Sequence, residues 1–187
     1  MTRNGDFGYT IEHHMNDYAY LREKIREVQN YPTPGVNFKD IAPLLEDTGA
    51  FRDAIRGITD FFKGKKIDKV IGIESRGFLL ASSTAYLLGA GLVMVRKKDK
   101  LPFKKITRAH SLEYGKGILE IHIDSVLPGE KVIVIDDVLA TGGTAEAAIK
   151  LAETLRGEIV GAGFLLELPL GGREKLSRYD VRSLIRY

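Results

Sequence analysis

The chain has 187 residues, 44% of them hydrophobic and 28% charged, with a formal net charge of +3. That length suits one globular domain burying roughly two-thirds of its unfolded surface, and the composition excludes disordered, collagen-like and coiled-coil classes. So small a net charge does not demand a polyanionic partner. The absence of cysteine rules out disulfides and thiolate metal sites. No apolar run reaches the roughly 18–20 residues that span a bilayer, and the N-terminus lacks the basic start and apolar core of a secretory signal. A cytoplasmic protein with no membrane association is therefore expected.

Residues 1–16 are polar, with Gly5 and Gly8, and read as a loose tail ahead of a single domain. From Asp17 to Asn30, the apolar residues Leu21, Ile25 and Val28 recur at helical spacing. A second helix is expected after Asp47, with Phe51, Ala54, Ile55, Ile58, Phe61 and Phe62 on one face. The period then changes. Ile67–Ile73 is a β-branched run followed by the turn Glu74-Ser75-Arg76-Gly77. An apolar helix over Leu79–Leu88 closes at Gly89, and Leu92–Val95 gives a second strand. Val132–Ile135 is a third strand, followed by a helix aligning Ala145, Ala148, Ile149, Ala152 and Leu155 and closed by Gly157. Ile159–Leu168 and Val181–Ile185 supply the last strands. Apolar strands alternating with helices predict an α/β fold, a mostly parallel central sheet covered on both faces.

One segment departs from that rhythm. Over Lys104–Asp124 apolar Leu119, Ile121 and Ile123 alternate with Glu120, His122 and Asp124, and Gly115-Lys116-Gly117 separates two arms. The pattern predicts a half-solvated antiparallel hairpin inserted in the α/β core, placed to act as a lid.

The segment VIVIDDVLATGGTA, Val132–Ala145, carries the chemistry. Ligands of open α/β sheets bind beyond the carboxyl ends of strands, and Ile135 as strand end sets Asp136 and Asp137 at that edge. Ala140, Thr141, Gly142, Gly143 and Thr144 then turn into a helix N-terminus, where backbone amides and the helix dipole favour a phosphate. No lysine follows the glycines as in a Walker A loop, and the spacing is not GxGxxG. The acidic pair suits ribose hydroxyls, whose hydrogen bonds to carboxylates are charge-assisted. The plainer alternative is a helix-capping aspartate ahead of a glycine-rich connector.

Strand, Asp-Asp and Thr-Gly-Gly-Thr together resemble the signature of the type I phosphoribosyltransferases, which bind 5-phosphoribosyl 1-pyrophosphate (PRPP). Further segments are similar to successive signatures of the adenine phosphoribosyltransferase family: YPTPGVNFKDIAPLL (Tyr31–Leu45), IESRGF (Ile73–Phe78), VRKKDKLPF (Val95–Phe103), SLEYGKGILEIH (Ser111–His122) and GREKL (Gly172–Leu176). The resemblance implies the type I phosphoribosyltransferase fold, with an N-terminal helix and base-binding hood over residues 17–45 and a hairpin lid over residues 104–124. It implies a homodimer and purine salvage, in which adenine and PRPP give AMP and pyrophosphate. No nucleic-acid partner and no protein metal site are implied, Mg²⁺ arriving through PRPP.

By the same resemblance Asp136 and Asp137 hold ribose hydroxyls and Ala140–Thr144 hold the 5′-phosphate. Arg76, Arg96 and Lys100 meet pyrophosphate, and Glu113 is the catalytic acid/base with Tyr114 beside it over the ribose. Phe38 stacks on adenine while backbone groups of Asn37 and Lys39 meet its edge. Asn37 replaces a usual hydrophobic residue, Lys39 a usual arginine and His110 a frequent tyrosine. Lys97, Lys98, Lys104, Lys105 and His110 have no role assigned by the resemblance. A transferase for hypoxanthine, guanine or xanthine is the nearest alternative, with Asn37 as the position that could meet O6. A nucleic-acid patch over Arg96–Lys105, or a PRPP-sensing regulator that binds DNA, is the more distant one; residues 1–30 are short for the separate DNA-binding module it would need.

Overall fold

A computed structural model describes residues 18–111 and 116–187. The N-terminal part is a short helix α1 (Ala19–Glu23), then strands β1 (Arg26–Gln29) and β2 (Asn37–Asp40), which pair antiparallel as a separate ribbon. The long helix expected over Asp17–Asn30 therefore stops at Glu23. Cross-strand pairing overrides the helical spacing: Arg26 faces Asp40 and Glu27 faces Lys39, opposite charges set directly across the ladder.

Helices α2 (Ala42–Glu46) and α3 (Thr48–Asp60) follow. Asp47 caps α3, its side chain accepting a hydrogen bond from the Ala50 amide at 2.9 Å. The core then runs β3 (Lys69–Ile73), α4 (Gly77–Leu88), β4 (Gly91–Lys97), β5 (Lys105–Ser111), β6 (Lys116–His122), β7 (Lys131–Leu139), α5 (Gly143–Thr154), β8 (Glu158–Glu167), α6 (Gly172–Lys175) and β9 (Val181–Arg186). These strands form one seven-stranded sheet in the order β5-β6-β4-β3-β7-β8-β9. The β4-β3-β7-β8-β9 portion is parallel, and β6 joins β4 antiparallel.

Alternation along the central strands explains how one sheet feeds two cores. Ile71, Val132 and Val134 pack with Ala148, Ile149 and Ala152 of α5 on one face. Val70, Ile133 and Ile135 pack with Ile55 and Ile58 of α3 and Leu80 of α4 on the other. Each fully buried aliphatic side chain contributes about 1.5–3 kcal/mol, and residues from both faces have no exposed surface. Among the described residues no helix is long and apolar enough to cross a membrane.

The expected hairpin is present as β5 and β6, but two of its details differ. Its strands remain in register to Ser111 opposite Lys116, so Gly117 lies within a strand opposite His110 instead of forming the turn. The polar face is not wholly solvated: Glu120 is buried, taking hydrogen bonds from Lys105 Nζ (2.9 Å) and the Asp99 amide (3.0 Å) as the loop after β4 folds over it. Among the described residues the hairpin is joined to β4 by the pairs Arg96 with Glu120 and Lys97 with Leu119, and just beyond it the Lys98 amide donates to the Ile118 carbonyl at 3.1 Å.

Phe62, just after α3, is among the largest fully buried side chains. Phe62→Ala should lower the unfolding free energy by about 3–5 kcal/mol in urea titrations, with Phe62→Leu costing distinctly less. An unchanged midpoint for Phe62→Ala would contradict the packing of this face.

Candidate active site

Strand β7 runs on to Leu139, past Ile135 where its end was expected. Its two neighbours part company there: pairing with β3 ends at Gly72 opposite Ile135, whereas β8 continues alongside to Glu167 opposite Leu139. Asp136 and Asp137 thus lie within a strand supported on one edge only. Both are buried, at 9% and 7% exposure. Gly77, the first residue of α4, passes so close that a Cβ there would stand 2.5 Å from Asp136 Oδ1. Glycine is required at that crossing. Burial and then the charge of Asp137 push the Asp136 carboxyl well above the usual range. Burial also raises Asp137, against the opposing pull of Arg76.

Neither aspartate caps a helix. Gly142, at φ +77°, is the residue before α5 and makes no side-chain cap. The first helical hydrogen bond is Glu146 N–H to Gly142 O at 2.9 Å, so the amides of Gly143, Thr144 and Ala145 precede it without a helical acceptor. The arrangement can take an anion at the loop and hydroxyl donors at the carboxylates.

Arg76 joins the carboxylates to the N-terminal ribbon. Its Nη2 stands 2.8 Å from Asp137 Oδ2, yet that oxygen accepts no aligned hydrogen bond; the contact is an ion pair with a lone pair to spare. The guanidinium carbon lies 4.8 Å from the Phe38 ring centre, and Nη1 donates to the Lys39 carbonyl at 3.4 Å. Of the expected base-binding residues, only Phe38 presents its side chain to a cavity. That cavity, 340 Å³, is lined by Pro32, Val36, Phe38, Asp136 and Val138–Ala145. Asn37 and Lys39 alternate with Phe38 and turn to the opposite face. Asn37 Nδ2 donates to Glu27 at 3.0 Å, and Lys39 pairs with Glu27, its ammonium 4.4 Å above the Tyr187 ring. The period-two alternation of NFKD was the available signal for this split, and for Val36 joining Phe38.

A second cavity, 460 Å³, opens on the other side of Asp136 and is lined by Glu74, Ser75, Arg76, Lys97, Lys98, His110, Gly117–Leu119, Asp136, Asp137 and Thr144. Arg96 and Lys100, expected in it, are placed otherwise. Arg96 is clamped by Glu74 through Nε (3.3 Å) and Nη2 (3.4 Å), and its Nη1 donates to the Lys100 carbonyl at 3.1 Å. Lys100 is exposed. Burial opposes the ionised Glu74, but the Lys97 amide and Arg96 outweigh it and hold the carboxyl below its usual range. Lys97 and Lys98 are the lysines that line this cavity. His110 is a strand residue at this wall, its imidazole shifted toward the neutral form by burial. Lys105 pairs with Glu120 inside the hairpin, so the basic run does not form a continuous stripe for nucleic acid. Glu113 and Tyr114 lie outside the described residues. Among the described residues no three of His, Cys, Asp or Glu converge as a metal cage.

The phosphoribosyl transferase domain family matches residues 45–185. The adenine phosphoribosyltransferase of Caldicellulosiruptor bescii is 50% identical over 168 residues, covering 89% of this chain and 96% of its own. The chain belongs to the adenine phosphoribosyltransferase family. The crystal structure of adenine phosphoribosyltransferase from Thermoanaerobacter pseudethanolicus superposes with a TM-score of 0.88 at 45% identity, covering 90% of this chain and 99% of that one. The Saccharomyces cerevisiae adenine phosphoribosyltransferase, complexed with an imino-altritol bisphosphate and adenine, superposes at 0.82 with 37% identity, covering 89% and 97%.

In this phosphoribosyltransferase the raised carboxyls link pH to both stability and binding. Folded-state values above the unfolded ones mean that ionising the pair opposes folding, a cost that enters as pH climbs from the ordinary carboxylate range through the raised values. Asp136→Asn should therefore flatten the fall in Tm over that interval while weakening PRPP about ten- to a hundredfold, the loss of one charge-assisted bond. Calorimetric melting and PRPP titration across pH check both; undiminished affinity would remove Asp136 from the site.

Proposed function

We propose that this chain transfers the 5-phosphoribosyl group of PRPP to adenine, giving AMP and pyrophosphate in purine salvage. The observation that carries this reading is the meeting of two unlike cavities at Asp136 and Thr144, one bearing Phe38 and the other lysines. A ribose held between them presents C1′ to a base on one side and sheds pyrophosphate on the other. Asp136 and Asp137 accept hydrogen bonds from its hydroxyls, and Ala140–Thr144 take the 5′-phosphate. Lys97, Lys98 and Arg76 receive the pyrophosphate, with Arg96 and Lys100 shaping that wall from behind. Asp137, whose Oδ2 keeps an unused lone pair, is the residue that would face a magnesium ion brought by PRPP, and such an ion would supply charge neutralisation.

As the C1′–O bond breaks, positive charge develops on the ribose between fixed carboxylates, the preorganised electrostatics such a transition state needs. The adenine N9 lone pair forms the new bond to C1′, and the N9 proton passes to Glu113, with Tyr114 over the ribose. The Asn37 amide is committed to Glu27 and so is not offered to the O6 of a 6-oxopurine, which favours adenine over hypoxanthine, guanine or xanthine. Exposed Leu79, Tyr86 and Leu87 of α4, beside a 690 Å³ groove between α3 and α4, support a homodimer. A cytoplasmic setting accords with a cysteine-free chain that draws on PRPP.

With Mg²⁺ and PRPP present, adenine should be consumed at least about ten times more efficiently than hypoxanthine or guanine, each 1.4 kcal/mol of discrimination giving a factor of ten. Comparable rates across a nucleobase panel would overturn the specificity. Glu113→Gln should lower kcat by about 100-fold, the usual scale for a general base, and leave PRPP affinity within twofold; full turnover would exclude Glu113 from the proton transfer.

A further inference from the structure

The segment after β8, Gly171–Leu176, touches neither cavity, yet it abuts the back of the loop that does. Gly171 adopts φ +79° and delivers Gly172, the buried first residue of α6, beneath that loop. A Cβ on Gly172 would overlap the Ala140 carbonyl oxygen and stand 2.8 Å from Leu139 Cδ1. From the other side, a Cβ on Gly142 would stand 2.9 Å from the Gly172 carbonyl oxygen. The two backbones are in contact with no side chain between them, so the height of one fixes the height of the other.

What fixes Gly172 is the next residue. Arg173 makes a two-pronged pair with Glu167 at the end of β8, Nε to Oε1 at 2.8 Å and Nη2 to Oε2 at 2.5 Å. Its Nη1 also donates to the Val181 carbonyl of β9 at 2.8 Å. With Nη2 also reaching Ser183 Oγ at 3.4 Å, a planar guanidinium engaging four acceptors on two strands admits little rotation, which a lysine ammonium cannot reproduce. Leu176, fully buried, pins the far end of the segment.

We propose that Gly172 and Arg173 are positioning residues for the anion-binding loop: Arg173 bolts α6 to the β8–β9 edge, and Gly172 transmits that position to Ala140–Gly142, setting how closely the loop amides approach the 5′-phosphate. The inference rests on the reading of Ala140–Thr144 as the phosphate seat. Neither residue touches substrate, and a shift of about 1 Å in groups that hold it is enough to cost a hundredfold in rate.

The test uses the full chain, with ribose 5-phosphate and pyrophosphate as separate probes of the two sides of the site. Gly172→Ala and Arg173→Met should each weaken ribose 5-phosphate binding about tenfold or more and raise the KM for PRPP in parallel. The KM for adenine and inhibition by pyrophosphate should stay within twofold. Arg173→Lys, a milder change that keeps the charge, should fall between the wild type and Arg173→Met and guards against a variant that does not fold. Wild-type ribose 5-phosphate affinity in folded variants would overturn the positioning role, as would an equal loss on both sides of the site, the mark of general loosening. Failure of the wild-type chain itself to bind ribose 5-phosphate would instead overturn the reading of the loop.

Discussion

Two adjacent carboxylates buried at the tip of one strand are the constraint to which the rest of the site responds. Taking ionised oxygens out of water is expensive, and placing a like charge beside each increases the cost. Arg76 answers part of it by pairing with Asp137, while Gly77 packs against Asp136 too closely to admit a side chain. The residual frustration is visible in the upward shift of both groups. A ligand that brings hydroxyl donors on one side and anion-bound cations on the other relieves it. Local frustration of this kind is found where a fold breaks its own rules, as functional sites do.

The cations near this pair are sorted by how firmly they are held. Arg96 is fixed by Glu74, which also takes the Lys97 amide at 2.9 Å, so the acid organises the end of β4. Lys97 and Lys98 are left exposed at the cavity wall, on long flexible stems. Charges on such stems act as mobile points and do not specify geometry, unlike a guanidinium held by two partners.

The parallel sheet and the strand, loop and helix of VIVIDDVLATGGTA were legible because they depend on local features: β-branched runs, glycine spacing, an acidic pair before a helix. What was not legible depended on partners distant in sequence. Leu21, Ile25 and Val28 satisfy helical spacing, but β1 exists because Asn37–Asp40 arrives opposite it. The acid at position 120 reads as solvent-facing until the chain after Lys98 folds over it and Lys105 pairs with it. The resemblance gave Arg96 and Lys100 as pyrophosphate contacts, but it could not show that Glu74, separated from Arg96 by 22 residues, holds the Arg96 side chain. Family resemblance supplied roles, while side-chain direction came only with the tertiary contacts.

The ribbon that carries Phe38 separates two tasks by strand alternation. Asn37 and Lys39 face Glu27 and the Tyr187 ring, away from the cavity that Phe38 lines, so two of the three positions where the sequence departs from the family pattern answer to the scaffold. Drift at 37 and 39 can proceed as long as Glu27 keeps a partner, without a change of ligand. Val36 and Phe38, the neighbours one residue away, answer instead to the 340 Å³ cavity that they line.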